Sequence, residues 1–188
     1  MRDAEPTDLP AETSVTAALE TAAMRSGDPV VLALSNLAAT EALGTILGER
    51  LGPGDTVLLS GPLGAGKSAL ARQILRTALA DPDLEVPSPS YTLVNVYEPV
   101  AGPALWHADL YRLGDPSELH ELGLEDAFAT AVVLIEWPER LTSRPARRME
   151  IALSVPLDGP EAPSDQADEP REATLRAFGA WPTLRAAS

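Results

Sequence analysis

The sequence contains no cysteine, few aromatic residues and a single lysine. Aromatic residues make up 4% of the 188 residues, and 13 of the 14 basic residues are arginines. The absence of cysteine excludes disulfide bonds and thiolate metal sites. No apolar run approaches the roughly 20 residues that a membrane-spanning helix requires, and the N-terminus lacks the pattern of a signal peptide. We therefore expect a soluble cytoplasmic protein without membrane attachment.

Acidic residues are concentrated in two segments. The net charge of the chain is −14, of which residues 1–29 contribute −4 and residues 158–170 contribute −5. Both segments are rich in small and polar residues and poor in large apolar ones, which is typical of solvated chain. We predict that residues 1–29 form a disordered extension, that 158–170 is an acidic loop insertion, and that 30–188 form one domain.

The single lysine lies in a phosphate-binding motif. Residues 61–68, GPLGAGKS, match the pattern G-x-x-x-x-G-K-[ST]. An apolar run at 56–60 predicts a strand before the motif, and apolar residues with helical spacing predict a helix after it. Glycines allow the backbone to curl around phosphate oxygens, and the helix start adds its positive dipole end. This strand–loop–helix context indicates a nucleotide-binding site.

Each residue type in the motif has a predicted task. Lys67 would reach the β- and γ-phosphates, and Ser68 would offer a hydroxyl to Mg²⁺. The other predicted phosphate-binding residues, which act through their backbone amides, are Gly64, Ala65, Gly66 and Ala69. Guanine recognition by an N-K-x-D motif would need a second lysine, which the chain lacks. We therefore expect ATP as the nucleotide.

Strand and helix patterns alternate along the chain. Apolar runs predict strands at 30–34, 56–60, 91–97, 149–155 and 173–179, and two more that end at Asp109 and Glu136. Helical patterns occupy about 36–51, 68–80 and 115–128. This order predicts an α/β fold, a P-loop NTPase-like three-layer sandwich with a mixed β-sheet.

Two acids end apolar strands where a site at the carboxyl edge of a sheet would lie. Glu136 ends the run AVVLIE and is a candidate Mg²⁺-side carboxylate, while Asp109 ends ALWHAD and is a candidate second acid. With Lys67, these two form the predicted catalytic set. His107 shares a strand face with Asp109, but we interpret it as a packed histidine. Trp137 either covers the nucleotide site or packs at the strand end.

Four segments resemble one family in order and spacing. They are LSGPLGAGKSAL, SPSYTLVNVYEP, WHADLYRLGDPSELHELGLEDAF and VVLIEWPER. They are similar to the TsaE-type ATPases of tRNA threonylcarbamoyladenosine biosynthesis, over about residues 32–140. The resemblance implies slow, Mg²⁺-dependent hydrolysis of ATP in support of a transferase, TsaD, and its paralogue TsaB. Those partners place threonylcarbamoyl on the adenosine beside the anticodon in tRNAs reading codons that begin with A, and the ATPase does not transfer the group itself.

The resemblance also implies residue roles. Residues 64–69 would hold phosphates, Ser68 and Glu136 would hold Mg²⁺, Asp109 would be the second essential acid, and Trp137 matches a family tryptophan. Pro62 departs from the family pattern, which usually has Asp there. The segment 88–92, SPSYT, combines a proline with hydroxyl residues, and we predict that it senses the nucleotide.

Two other functions compete with this interpretation. A small-molecule kinase would need an arginine-bearing lid, for which the candidates are Arg140, Arg144, Arg147 and Arg148. A nucleotide-gated adaptor would bind ATP with negligible hydrolysis. Four arginines on an acidic chain also make too small a basic footprint for independent RNA binding, so we expect contact with tRNA only through partner proteins.

Overall fold

The apolar runs form one sheet in the computed structural model, which describes residues 11–115, 118–155, 170–179 and 181. The strands in these ranges are β1 (Val30–Leu34), β2 (Thr56–Ser60), β3 (Val94–Tyr97), β4 (Leu105–Asp109), β5 (Val132–Glu136), β6 (Arg148–Ser154) and β7 (Arg171–Phe178). The helices are α1 (Ala11–Met24), α2 (Leu37–Gly48), α3 (Lys67–Ala78), α4 (Glu118–Glu121) and α5 (Leu124–Thr130), with a 3-10 turn at Pro138–Arg140. None of these helices is long and apolar enough to cross a membrane.

The sheet is mixed, which confirms the predicted fold class. Its strand order is β1-β7-β6-β2-β5-β4-β3. The central strands β6, β2, β5 and β4 are parallel to one another, whereas β3, β7 and β1 pair antiparallel with their neighbours. The carboxyl ends of β2, β4 and β5 therefore meet at one edge, where ligands of open α/β sheets bind.

Helices cover both faces of the sheet. In β5, Val132 and Leu134 belong to an apolar cluster with α1, α2 and α3, whereas Val133 and Ile135 belong to a second cluster with α4 and α5. Successive side chains of a strand point to opposite faces, so a strand buried on both sides reads as one continuous apolar run. This arrangement is the three-layer sandwich that the sequence predicts.

The N-terminal segment differs from its prediction. The expectation of disorder through residue 29 is wrong for 11–24, because α1 packs against α2, β1 and β7. Its buried residues follow helical spacing and are Val15, Ala18, Leu19 and Ala22. These apolar side chains fill the core and outweigh the acidic composition. Residues 1–10 lie outside the described residues, as does the predicted acidic insertion 158–170 apart from Pro170.

The strand predicted at 91–97 is shorter in the structure and begins at Val94. Leu93 adopts a left-handed backbone angle, φ 61°, and its N–H donates a hydrogen bond of 2.6 Å to the carbonyl of Pro89. This turn interrupts the extended conformation. Residues 88–92 are therefore a loop beside the end of β4.

Two glycines allow α2 to approach the helix of the phosphate-binding loop. A Cβ atom built on Gly44 would lie 2.7 Å from Cβ of Gln73, and one on Gly48 would lie 2.7 Å from the carbonyl oxygen of Ile74. Both distances are shorter than van der Waals contact allows. The two glycines are one turn apart, so their face of α2 lies directly against α3.

We predict that Gly48→Ala destabilises the protein. Alanine gains up to about 1 kcal/mol in helix propensity over glycine. Overpacking a tight contact costs about 1–3 kcal/mol. Because the clash involves backbone, we expect a net loss of about 1 kcal/mol in the free energy of unfolding, measured by urea denaturation. Glu41→Ala, on the exposed side of α2, is the matched control. Equal or higher stability of Gly48→Ala would contradict the tight contact.

Candidate active site

The phosphate-binding motif forms the turn between β2 and α3. The N–H of Ala65 donates to the carbonyl of Pro62 at 3.2 Å, which curls the loop. Gly66 precedes the first helical residue, and the Leu70 N–H donates to its carbonyl at 3.0 Å. The first N–H groups of a helix have no partner within the helix. The loop and the start of α3 therefore present donors and a positive dipole end suited to an anion.

The glycines of the loop are required for two different reasons. Gly64 and Gly66 have φ angles of 81° and 99°, which residues with a side chain rarely adopt. At Gly61, a Cβ atom would lie 2.3 Å from the carbonyl oxygen of Leu153. Backbone conformation requires glycine at positions 64 and 66. At Gly61, close packing against β6 is a further reason, in addition to its own positive φ angle.

Lys67 is buried within this loop, with 5% of its surface exposed. Its Nζ donates hydrogen bonds of 2.8 Å to the carbonyls of Gly61 and Pro62, and lies 4.0 Å from the ring centroid of Trp137. Burial lowers the pKa of Lys67, while nearby carboxylates act in the opposite direction. The one lysine of the chain therefore has its ammonium held inside the loop.

Glu136 and Ser68 meet beneath the loop. Ser68, in the first turn of α3, donates its hydroxyl to Oε2 of Glu136 at 2.8 Å. The second oxygen, Oε1, lies 3.0 Å from Nε2 of His107. Glu136 and His107 are 1% and 0% exposed. The structure brings the predicted metal-side pair together, and it adds His107, for which the sequence suggested only packing.

Asp109 is the neighbour of Glu136 in the β4–β5 register. Its Oδ2 accepts hydrogen bonds from Ser90 Oγ at 2.6 Å and from Ser88 Oγ at 3.3 Å. Its Oδ1 accepts the N–H of Tyr111 at 3.0 Å. The second acid is thus bonded directly to the loop 88–92.

Two aromatic side chains stand beside the loop. Trp137 has a left-handed backbone, φ 60°, and its N–H donates to the carbonyl of Leu59 at 3.1 Å. Its ring centroid lies 4.9 Å from that of Tyr111. The sequence prediction named Trp137 but missed Tyr111, although Tyr111 stands in the segment DLYRL just after Asp109.

These groups line one open cleft of about 290 Å³. Its lining residues are Leu63, Gly64, Gly66, Lys67, Ser68, Ala69, Ser88, Ser90, Asp109, Tyr111, Glu136 and Trp137. Of the residues predicted for the site, all but Ala65 are in this lining, and Ala65 lies in the loop with 1% of its surface exposed. The cleft therefore unites the phosphate-binding loop, both acids and the tryptophan.

The donor atoms fit Mg²⁺ that arrives with a phosphate ligand. Mg²⁺ prefers oxygen and is usually bound through one or two protein oxygens together with substrate phosphates. Ser68 and Glu136 supply a hydroxyl and a carboxylate oxygen 2.8 Å apart. Within the described part of the chain, no cluster of three or more His, Asp or Glu residues could hold a metal unaided.

Three of the four arginines predicted for a lid, Arg144, Arg147 and Arg148, pair with acids that do not line this cleft. Arg144 and Arg148 each contact Oε1 of Glu150 at 2.7 Å, and Arg147 contacts Asp55 at 2.7 Å. Arg148 pairs in register with Thr56, the first residue of β2, whereas the phosphate-binding loop follows the last. Three of the four candidate lid residues are thus engaged outside the cleft.

A family model matches residues 34–159 and is described as threonylcarbamoyl adenosine biosynthesis protein TsaE. Curated relatives carry the corresponding name, tRNA threonylcarbamoyladenosine biosynthesis protein TsaE. The Rickettsia felis relative is 38% identical over 109 residues, which are 58% of this chain and 63% of the relative. The Mycobacterium leprae relative is 45% identical over 123 residues, or 61% of this chain and 75% of the relative.

Among solved structures, the chain is similar to the crystal structure of Bacillus subtilis YdiB. The TM-score is 0.58 at 25% sequence identity, and the match covers 81% of this chain and 88% of YdiB. The family model spans 126 of the 188 residues, which is 67% of the chain. The structural match therefore covers a larger share of the chain than the family model does. Most of the α/β fold is therefore shared with YdiB.

The arginine pairing gives a pH-dependent prediction. Burial alone would raise the pKa of Glu150, but the bonds from Arg148 and Arg144 hold it below its ordinary value. A carboxylate with a lowered pKa stabilises the fold above its unfolded pKa, and this contribution is lost as pH falls through the folded pKa. We expect Glu150→Gln to lower the free energy of unfolding by about 0.5–1 kcal/mol at pH 7. The difference should shrink in acid below pH 4.5.

Urea denaturation of both proteins at pH 7 and pH 3.5 measures this effect. An equal difference at the two pH values would show that the arginines do not bind the ionised carboxylate of Glu150.

Proposed function

The chain belongs to the TsaE family of threonylcarbamoyladenosine biosynthesis, and we propose that it acts there as an Mg²⁺-dependent ATPase. The observation that carries this proposal is the cleft itself, which joins both acids to the phosphate-binding loop. Phosphoryl chemistry uses a phosphate-binding lysine, a carboxylate on the metal side and a group that orients the attacking water, and the cleft holds a candidate for each.

Each group would have a distinct task toward ATP. The amides of residues 64–69 and the ammonium of Lys67 would bind the phosphates. Ser68 and Glu136 would hold Mg²⁺, which when bound neutralises charge on the phosphate oxygens. The carboxylate of Asp109 would orient the attacking water. Trp137 would flank the phosphates, since its ring already lies 4.0 Å from Nζ of Lys67.

We further propose that the loop 88–92 responds to the nucleotide through Asp109. Ser88 and Ser90 bind the same carboxylate oxygen of Asp109, and all three residues line the cleft. An acid that moves or redirects its hydrogen bonds on nucleotide binding would change the position of the loop. This coupling would report the nucleotide state at the protein surface.

The partners that we propose are the transferase TsaD and its paralogue TsaB, which would add threonylcarbamoyl to the adenosine beside the anticodon. The chain would support their turnover and would not transfer the group. Contact with tRNA would be indirect, because Arg144, Arg147 and Arg148 are paired with acids of the chain itself. A role in tRNA modification favours a cytoplasmic location.

The ion pairs of the arginines weigh against the kinase alternative, because three of its four candidate lid arginines are paired with acids of the chain outside the cleft. A nucleotide-gated adaptor remains the second candidate. It is favoured by the contact of Asp109 with the loop 88–92, and it differs from an ATPase only in turnover.

Release of inorganic phosphate tests the proposal. We expect hydrolysis of ATP with Mg²⁺, none with EDTA, and weaker binding of GTP than of ATP. Lys67→Ala should reduce hydrolysis to background because the loop loses its only ammonium. Arg144→Ala, which alters a distant ion pair, is the control and should keep wild-type activity.

Each other result has a defined meaning. ATP binding without phosphate release would support the adaptor, and phosphate transfer to an added small molecule would support the kinase. Tighter binding of GTP than of ATP would contradict the choice of adenine.

A second prediction concerns Asp109. We expect Asp109→Ala to slow hydrolysis by about 10²-fold or more, because the water loses its orienting group, with ATP affinity nearly unchanged. Ser90→Ala should cause a smaller loss in the same direction. Thr92→Ala is the matched control, since its hydroxyl bonds to Asn95 in the same region and not to Asp109. Loss of ATP binding in folded Asp109→Ala would show that this role is wrong.

A further inference from the structure

We propose that His107 is the positioning residue of Glu136, and that it holds one carboxylate oxygen so that the other stays at Ser68. This inference rests on the proposed binding of a metal–nucleotide complex in the cleft. It assigns a role to a buried side chain that the proposed chemistry does not otherwise use.

The geometry forms a chain of three groups. His107 Nε2 lies 3.0 Å from Oε1 of Glu136, whose Oε2 accepts the Ser68 hydroxyl at 2.8 Å. In the β4–β5 register His107 is opposite Leu134, so Glu136 is its diagonal neighbour on the same face. The carboxylate is therefore fixed from the sheet on one side and from α3 on the other.

The chemistry of the imidazole ring supports a positioning role. A contact with a carboxylate oxygen requires a hydrogen on Nε2, so we assign that tautomer. The other nitrogen, Nδ1, is buried without a hydrogen-bond partner among the described residues. A residue needed only for packing would not leave a buried nitrogen unpaired, because a leucine of similar size avoids that desolvation. The side-chain hydrogen bond that His107 makes, through Nε2, is the one to Glu136.

Fixing both carboxylate oxygens of Glu136 matters because a glutamate side chain has three rotatable bonds and can turn its carboxylate in several directions. The side chains of His107 and Glu136 are 1% and 2% exposed, so their contact is shielded from bulk solvent. Without the N–H of His107, Oε1 would seek another donor and turn Oε2 away from Ser68. Partners that orient a metal-binding group in this way are worth about 10- to 100-fold in metal affinity or activity.

The test compares His107→Leu with His107→Gln. Leucine fills the space without a donor, whereas the amide nitrogen of glutamine reaches about the place of Nε2. Binding of Mn²⁺ to the protein–ADP complex, followed by electron paramagnetic resonance, is the first readout. The Mg²⁺ concentration for half-maximal ATP hydrolysis is the second. We expect His107→Leu to weaken both by about tenfold or more, with Glu136→Gln as the reference for a lost ligand.

Binding of ADP without metal should stay near the wild-type level in both variants. His107→Gln should stay within about threefold of wild type in both metal readouts, since it keeps the donor. If leucine and glutamine variants behave alike, either both normal or both impaired, His107 is a packing residue and the inference is wrong.

A failure to fold and a failure of the proposed function can each be distinguished from a failure of this inference. If His107→Leu does not fold, His107→Asn replaces it, because the shorter amide cannot reach Oε1, and the same contrast with glutamine is expected. If wild-type protein binds no Mn²⁺ with ADP, the proposed function fails and the inference fails with it. If wild type binds and the leucine variant matches it, only the inference is overturned.

Discussion

The parallel pairing of β5 with β2 on one side and β4 on the other is the constraint on which the site depends. The register places Glu136 beside Leu59 in β2 and beside Asp109 in β4. Leu59 stands two residues before the phosphate-binding loop, so one row of the sheet aligns the loop with both acids. A slip of one residue in β5 would turn Glu136 to the opposite face, away from Ser68.

This alignment creates a polar layer above an apolar core. The buried polar residues of the site are Lys67, His107, Asp109 and Glu136. The other buried residues of β4 and β5 are apolar. A buried polar group left without a partner costs about 1–3 kcal/mol. The four groups avoid most of this cost by bonding to backbone carbonyls, to hydroxyls and to one another. Each side chain of the site is thus also part of what holds the others in place.

Features that depend on local sequence could be predicted, and features that depend on register could not. The loop 61–68 and the acids at strand ends are visible because strand, turn and helix signals flank them. The contact of His107 with Glu136 joins residues 29 positions apart, and only the pairing of β4 with β5 shows it. In α1, composition suggested disorder, whereas the spacing of four apolar residues was the better guide. Averaged composition loses the periodicity that decides which face is buried.

The two acids of the site differ in what holds them, and this difference supports the separate tasks that we propose for them. Glu136 is bonded to α3 and to β4, both of which pack into the core. Asp109 is bonded to serines of the loop 88–92, which lies outside the strands. Movement of that loop would therefore reach the cleft through Asp109 and leave the metal side at Glu136 fixed. The nucleotide-reporting ATPase that we propose would need this combination, since a site that moved as a whole would lose its phosphate geometry each time the loop changed position.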